Sequence, residues 1–231
     1  MLNTQNIKLQ SLIIERRNYA SWNIGIRNVA QQLGNGFLRI GDEVKLGTRD
    51  SSKLTDWLKQ AGNKASVGSF EDAAKFGEIL VLATFWAGTE NVIKMAGKNN
   101  FSGKTVIDVT NPLDFSQGTP PRFDAGVGNS GGERIQKWLA DAKVVKAFNI
   151  VNAYIMISPK REEGMPDLFI AGNDDKAKAM VSNIAAKWGW TGVHDIGDIS
   201  NAFLLEAFAQ LWIAYAFKNN SWMHSFKLLK K

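Results

Sequence analysis

The residues best suited to chemistry stand in Gly47-Thr48-Arg49-Asp50, directly after the short apolar stretch Glu43–Leu46. In dinucleotide-binding folds, the residue after the second strand reads the adenosine ribose. An acidic residue there bonds the 2′-hydroxyl of NAD, whereas an arginine accommodates the 2′-phosphate of NADP. Thr48 and Arg49 offer a hydroxyl and a guanidinium fork, which suit a phosphate. Asp50 could serve NAD instead, but the pair of phosphate-binding side chains favours NADP.

This turn needs a strand–helix–strand unit to position it at the end of a second strand. Asn23–Ile26 and Glu43–Leu46 have the composition of short strands. Between them an apolar residue recurs at helical spacing, at Val29, Leu33, Phe37 and Ile40, and Gly41 ends the helix. The pattern predicts a βαβ unit that opens a Rossmann-type fold.

The turn that would hold a pyrophosphate is incomplete in this unit. A Gly-x-Gly-x-x-Gly turn lets the backbone approach the phosphates. Here Gly25 and Ile26 run directly into Arg27 and Asn28, and the next glycine is Gly34. The predicted loop is thus about three residues short of that turn. Gly25, Ile26, Arg27 and Asn28 are the candidates for phosphate contact, although Arg27 could also be a simple exposed residue.

Three further strands are predicted to end at the same edge of the sheet. Ile79–Thr84 is a nearly continuous apolar run, as expected for a buried parallel strand, and Lys104–Val109 and Lys143–Asn149 are predicted as the other two strands. Ligands in open α/β sheets bind at the carboxyl ends of such strands. The candidate residues there are Thr84, Phe85, Trp86, Asn111, Pro112, Ala147, Phe148 and Asn149. The long Gly- and Pro-containing stretch 116–130 is predicted to be an active-site loop or a lid.

Composition narrows the function classes. The 231 residues include no cysteine and only two histidines, which argues against disulfides, thiol chemistry and a histidine-rich metal site. The net charge of +6 is scattered along the chain, so we expect no nucleic-acid partner. No apolar run suggests a membrane span, and no secretory signal is recognisable, so we expect a cytoplasmic location.

The predicted fold class is α/β, a doubly wound parallel sheet followed by a small, mainly helical C-terminal domain. We expect an N-terminal extension over residues 1–22, the dinucleotide-binding domain over 23–152 and the second domain over 153–231. Ile199–Phe217 is strongly apolar at helical spacing, which predicts a largely buried helix that could contribute to a homodimer interface.

From Trp22 onward the sequence resembles the coenzyme F420-dependent NADP oxidoreductase family. The resemblance lies in Asn23–Ile26, Gly47–Asp50, Val106–Pro112, Val144–Asn149 and the C-terminal helix through Glu206 and Trp212. It implies that Thr48 and Arg49 hold the 2′-phosphate and that Thr84, Phe85 and Trp86 line the dinucleotide. It also implies that Asn111, Pro112, Ala147, Phe148 and Asn149 surround the nicotinamide and the acceptor pocket.

Two functional hypotheses follow. The first is an NADPH-dependent oxidoreductase that passes hydride to a flavin-like or deazaflavin acceptor such as F420. In such enzymes the cofactor carries the chemistry, which explains why no nucleophile or general base stands out. The alternative is a non-catalytic Rossmann-fold binding or regulatory protein that has lost the phosphate-binding loop.

Overall fold

The computed structural model describes residues 10–13 and 26–229, with only the backbone described at 10–13, 26 and 27. The strands in this part of the chain are β1 (Gln10–Ile13), β2 (Val44–Gly47), β3 (Ala65–Gly68), β4 (Ile79–Leu82), β5 (Thr105–Asp108), β6 (Leu113–Asp114), β7 (Arg122–Phe123), β8 (Lys143–Lys146), β9 (Asp167–Gly172) and β10 (Gly192–Asp195). The α-helices are α1 (Ile26–Arg39), α2 (Thr55–Ala61), α3 (Phe70–Phe76), α4 (Trp86–Ala96), α5 (Gly131–Trp138), α6 (Ala153–Ile157), α7 (Asp175–Lys187) and α8 (Ala202–Asn219).

One sheet of eight strands, in the order β10-β9-β8-β5-β4-β1-β2-β3, organises the fold. The run β3-β2-β1-β4-β5-β8 is parallel throughout and has the strand order of a doubly wound dinucleotide-binding fold. This confirms the predicted α/β fold class. β9 joins β8 in antiparallel orientation, and β10 pairs in parallel with β9. Residues on both sides of the predicted boundary at residue 152 therefore contribute to one sheet.

The central strand lies elsewhere than predicted. Gln10–Ile13 pairs in parallel with both β2 and β4, with Leu12 opposite Leu46 and Val81. These residues belong to the predicted extension 1–22, and Ile26, predicted to end a strand, begins α1. The prediction that Ile26 ends the first strand is therefore wrong, whereas Asn23–Gly25 lie outside the described residues. A four-residue apolar alternation is too short to identify a strand, and a glycine within it weakens strand pairing.

The connection between β1 and α1 thus comprises residues 14–25, and Gly25 lies outside the described residues. The predicted short loop assumed a strand that ended at Ile26. That assumption no longer holds. Gly25 is the only glycine in the connection, so the sequence still contains no Gly-x-Gly-x-x-Gly turn.

Apolar side chains cover both faces of the sheet. One face carries a core that joins α1 and α7 to alternate residues of the strands, with Phe37 and Trp188 in edge contact at 4.9 Å between ring centroids. The other face packs α3, α4 and α5 against Leu80, Leu82 and Val106. The strand ends between these two layers form the carboxyl edge, where the predicted site residues lie.

Gly36 sets the distance between α1 and α6. A Cβ atom at this position would lie 2.5 Å from Ile157 Cγ2 and 3.0 Å from Trp188 Cε2. We expect Gly36→Ala to destabilise the fold by about 1–3 kcal/mol, because overpacking outweighs the roughly 1 kcal/mol gain in helix propensity. Urea unfolding checks this, with Gly34→Ala as the control. A Cβ at Gly34 comes no closer than 3.2 Å to its neighbours. A Gly36→Ala protein as stable as the wild type would contradict the expectation.

α8 carries apolar side chains on its exposed side as well as on its buried side. Leu205, Ala209 and Trp212 are buried, whereas Leu204, Leu211 and Tyr215 are exposed on the opposite side. The prediction of a largely buried helix is thus correct for one face only. None of the helices within residues 26–229 is both long and apolar enough to cross a membrane.

Candidate functional site

The candidate site is the carboxyl edge of the parallel strands. Thr48 follows β2, Thr84 follows β4, Asn111 comes shortly after β5, and Asn149 comes shortly after β8. β1 lies between β2 and β4, at the point where the strand order reverses. Ligands of doubly wound sheets bind in the crevice at this point. The structure therefore brings the predicted strand-end residues to one edge.

The turn after β2 is held by its own backbone and hydroxyl. The Thr48 amide donates to Gly68 O at 2.9 Å, and the Asp50 amide donates to Thr48 Oγ1 at 3.1 Å. A Cβ at Gly47 would lie 3.0 Å from Ala73 Cβ, so the glycine allows α3 to pack closely against the strand end. Arg49 is exposed on this turn. The turn therefore presents a guanidinium at the position that reads the ribose.

Asp50 is bonded to residues of its own turn. Its Oδ1 accepts hydrogen bonds from the Ser52 amide at 3.2 Å and the Ser52 hydroxyl at 2.5 Å. Its Oδ2 is 2.5 Å from Lys53 Nζ. Hydrogen bonds from Lys53 and Ser52 lower the pKa of Asp50 to about 2, so the carboxylate is ionised at neutral pH. Asp50 caps the turn that precedes α2, and this favours Arg49 and NADP over an acid and NAD.

We expect Asp50→Asn to leave the preference between NADPH and NADH within about threefold of the wild type, because asparagine keeps the bond from Ser52. Calorimetric titration of both nucleotides checks this. A large gain in NADPH affinity, or loss of NADH binding, would show that the Asp50 carboxylate faces the ribose after all.

The start of α4 presents backbone amides to the same edge. Thr84 and Thr89 share a hydrogen bond between their hydroxyls at 2.7 Å, and Thr89 contacts Phe85 O at 3.3 Å. Among the described residues, no side chain caps this helix, and its first turn contains no acidic residue. The first turn of α1 also lacks an acid. Both helix N-termini are therefore electrostatically compatible with a phosphate.

The structure surrounds Trp86 with protein groups. Its indole Nε1 donates to Asp124 Oδ2 at 3.3 Å, and its ring stacks on Trp138 with 5.8 Å between centroids. The Arg134 guanidinium lies 4.8 Å from the ring centroid. These contacts give Trp86 a packing role, and its predicted contact with a dinucleotide stays a prediction.

A reciprocal amide pair joins the ends of β5 and β8. Asn111 Nδ2 donates to Asn149 O at 2.9 Å, and Asn149 Nδ2 donates to Asn111 Oδ1 at 3.0 Å and to Leu205 O at 3.0 Å. Asn111 is half-buried, whereas Asn149 is buried, as are Pro112 and Ala147. Asn149 Oδ1 is buried and has no hydrogen-bond partner among the described residues.

Phe148 has a left-handed backbone, with φ of 62°. Its side chain is fully buried between the two core tryptophans, with ring centroids 5.3 Å from Trp188 and 6.4 Å from Trp190. Such a φ is costly for a bulky residue and often marks a functional segment. Phe148 can therefore reach a ligand only through its backbone, a distinction that the sequence did not reveal.

The remaining sequence candidates lie at the start of α1. Ile26, Arg27 and Asn28 are in its first turn rather than in a strand and loop. Asn28 Nδ2 donates to the hydroxyl of Tyr154 on α6 at 3.3 Å. Tyr154 is half-exposed beside this helix start and was not predicted from the sequence.

A buried charge cluster was also missed. Lys146 Nζ lies 2.9 Å from Asp108 Oδ2, 2.8 Å from Glu206 Oε1 and 2.6 Å from Thr110 O. Burial alone would lower the pKa of Lys146, but Asp108 and Glu206 together outweigh it and hold the pKa above its ordinary value. The lysine in the otherwise apolar strand run Val144–Ala147 was the available signal.

The start of α5 completes this cluster. Glu206 accepts hydrogen bonds from the amides of Gly131 at 2.8 Å and Gly132 at 2.9 Å. A Cβ at Gly132 would lie 2.5 Å from Ala202 Cβ, so this glycine permits the close approach of α8 to α5. The positive end of the α5 dipole stabilises the second buried carboxylate.

The strand order and the carboxyl edge of the sheet are those of a dinucleotide-binding protein. Comparison with known proteins agrees with this class. Residues 24–112 match the family model described as NADP oxidoreductase coenzyme F420-dependent. A protein of Arthrobacter sp. FB24 assigned as an F420-dependent NADP reductase has a crystal structure that superposes with a TM-score of 0.86. It is 31% identical in sequence, and the match covers 96% of this chain and 100% of that protein. The chain belongs to the F420-dependent NADP oxidoreductase family.

Two curated relatives extend the comparison. The F420-dependent NADP reductase of Methanocaldococcus jannaschii is 29% identical over 191 residues, which are 81% of this chain and 85% of that enzyme. A metalloreductase of Rattus norvegicus is 25% identical over 184 residues, which are 80% of this chain but only 35% of the metalloreductase. The family is one of NADP-dependent oxidoreductases.

Proposed function

We propose that this protein transfers hydride between NADP(H) and a flavin-like or deazaflavin acceptor of the F420 type. The observation that carries the proposal is the turn after β2, where Arg49 is exposed while Asp50 is bound to Ser52 and Lys53. Only the 2′-phosphate distinguishes NADP from NAD, and a guanidinium is the side chain that binds it best.

We assign the other contacts with the cofactor to residues at the carboxyl edge of the sheet. Thr48 and Arg49 would bind the 2′-phosphate, and the first-turn amides of α1 and α4 would face the pyrophosphate. Asn111 would bind the nicotinamide carboxamide, because its Oδ1 and Nδ2 each retain hydrogen-bonding capacity beyond the bonds to Asn149. Bound nicotinamide supplies the hydride, so the protein's task is to align two rings and exclude water.

Aromatic residues in and around the segment 116–130 support the proposal that the acceptor is planar. The segment includes β7, which forms a small hairpin with β6. Phe115 packs against Phe85 with 5.1 Å between centroids, and Phe123 packs against Phe203 of α8 at 6.1 Å. Gln210 of α8 donates to Pro121 O at 3.4 Å. These half-buried aromatic residues beside the carboxyl edge suit a flat heterocycle, as expected for an active-site loop.

A homodimer and a cytoplasmic location are part of the same proposal. The exposed Leu204, Leu211 and Tyr215 on α8 form an apolar face suited to a second copy of the chain. Light scattering should then give about twice the 25.5 kDa mass of one chain.

The second candidate function is a non-catalytic binding or regulatory protein. It is favoured by the single glycine in residues 14–25, which is fewer than a standard pyrophosphate turn contains.

One set of assays separates the two. NADPH and NADH are titrated first, and NADPH oxidation is then followed with F420, FMN and FAD as acceptors. NADPH binding with hydride transfer supports the oxidoreductase. NADPH binding without transfer to any acceptor supports the non-catalytic alternative, and failure to bind either nucleotide overturns the NADP assignment.

A further inference from the structure

We propose that Lys146 and Glu206 are positioning residues that hold the Asn111–Asn149 pair in place for the nicotinamide. This inference rests on the proposed function and concerns the nicotinamide end of the site, away from Arg49. Neither residue touches the cofactor in this scheme. They act through the polypeptide segments to which they are bound.

The first connection runs from Lys146 to Asn111. Lys146 Nζ donates to Thr110 O at 2.6 Å, directly before Asn111. Asp108, one of the two carboxylate partners of Lys146, accepts hydrogen bonds from the amide of Thr110 at 2.9 Å and from the hydroxyl of Thr110 at 2.7 Å. The residue preceding Asn111 is therefore fixed by three hydrogen bonds within the buried cluster.

The second connection runs from Glu206 to Asn149. Leu205, directly before Glu206, accepts from Asn149 Nδ2 at 3.0 Å. Glu206 itself is anchored to Lys146 and to the amides of Gly131 and Gly132. A shift of Glu206 would therefore move Leu205 O and release the amide of Asn149.

The cluster is poorly explained by stability alone. It places three charged side chains in the core, although apolar residues of similar volume often give equal or greater stability. A charged network is more restrictive than apolar packing, because each hydrogen bond fixes a direction. Here it fixes three elements, β5, β8 and α8, beside the amide pair that faces the nicotinamide. Asn149 Oδ1, which has no hydrogen-bond partner within the described part of the chain, lies in the same segment.

The test compares two ligands on wild type and Glu206→Gln. Adenosine 2′,5′-bisphosphate carries the 2′-phosphate without nicotinamide, so it reports on the adenosine end of the site, whereas NADPH reports on both ends. Glu206→Gln leaves the neutral Asp108–Lys146 pair in place. We expect NADPH affinity to fall about fivefold to tenfold through weakened carboxamide bonds, while the bisphosphate binds as in wild type.

The matched control is Glu133→Gln. Glu133 also caps α5, through Ser130, but it makes no bond to Lys146 or Glu206. We expect both ligands to bind this variant as they bind the wild type. If Glu206→Gln does not fold, the neutral triple variant Asp108→Asn, Lys146→Met and Glu206→Gln replaces it, with the same expected loss of NADPH affinity.

An unchanged NADPH affinity in Glu206→Gln overturns the inference, as does an equal loss for both ligands, which indicates a general structural role. Failure of the proposed function looks different, because the wild-type protein itself would then bind neither the bisphosphate nor NADPH.

Discussion

Replacing Arg49 with alanine should weaken NADPH binding about 10-fold to 100-fold and leave NADH binding unchanged. A charge-assisted hydrogen bond to a phosphate contributes roughly 1.5–3 kcal/mol, and a guanidinium makes two in parallel. NADH lacks the 2′-phosphate and would not sense the change. Calorimetric titration of both nucleotides measures the effect, and the preference for NADPH should fall by the same factor.

Lys53 provides the matched control. It is a cation on the same turn, but its ammonium is 2.5 Å from Asp50 Oδ2. We expect Lys53→Ala to change NADPH affinity by less than about threefold, because its charge is largely neutralised by Asp50. Arg49→Lys should fall between wild type and Arg49→Ala, since lysine keeps the charge without the fork. Equal losses of NADPH affinity in Lys53→Ala and Arg49→Ala would indicate that the overall positive charge of the turn attracts NADPH, rather than a specific contact between Arg49 and the phosphate.

Much of the sheet could be predicted from local sequence. Ile79–Leu82 is a short apolar run, and every residue of this strand and of Thr105–Asp108 is buried on the two faces of the sheet. Such strands must be covered by helices on both sides, so their alternation with helical patterns predicts a doubly wound fold. The central strand could not be placed, because Gln10–Ile13 is recognisable only through its pairing with β2 and β4.

The sequence predicted the position of polar residues that follow strands, such as Thr48, Arg49 and Asn111, and their role in binding stays a prediction. The sequence could not predict those features of the site that depend on the direction of a side chain or on contacts between distant residues. The positive φ of Phe148 turns its ring into the core, which a strand pattern does not show. The contact between Lys146 and Glu206 joins a strand to a helix that lies sixty residues further along the chain, and no local sequence pattern predicts it. Asp50 was ambiguous because its capping bonds to Ser52 depend on the turn's geometry.

Lys146→Met should be the most destabilising substitution considered for this protein, with a loss of about 3–5 kcal/mol in the free energy of unfolding. Lys146, Asp108 and Glu206 are essentially inaccessible to solvent, so methionine leaves two buried carboxylates without their shared cation.

Urea unfolding at neutral pH tests this, with Lys178→Met as the control. Lys178 is also a buried lysine with two acidic partners, but Asp175 and Asp195 are well exposed to solvent. Because water can hydrate those carboxylates once the lysine is gone, we expect a loss of about 1 kcal/mol or less. Adding Asp108→Asn and Glu206→Gln to Lys146→Met should recover most of the lost stability, since no buried charge then remains unpaired. A loss of stability in Lys146→Met as small as that of the control would show that the two carboxylates find water or other partners when the lysine is removed.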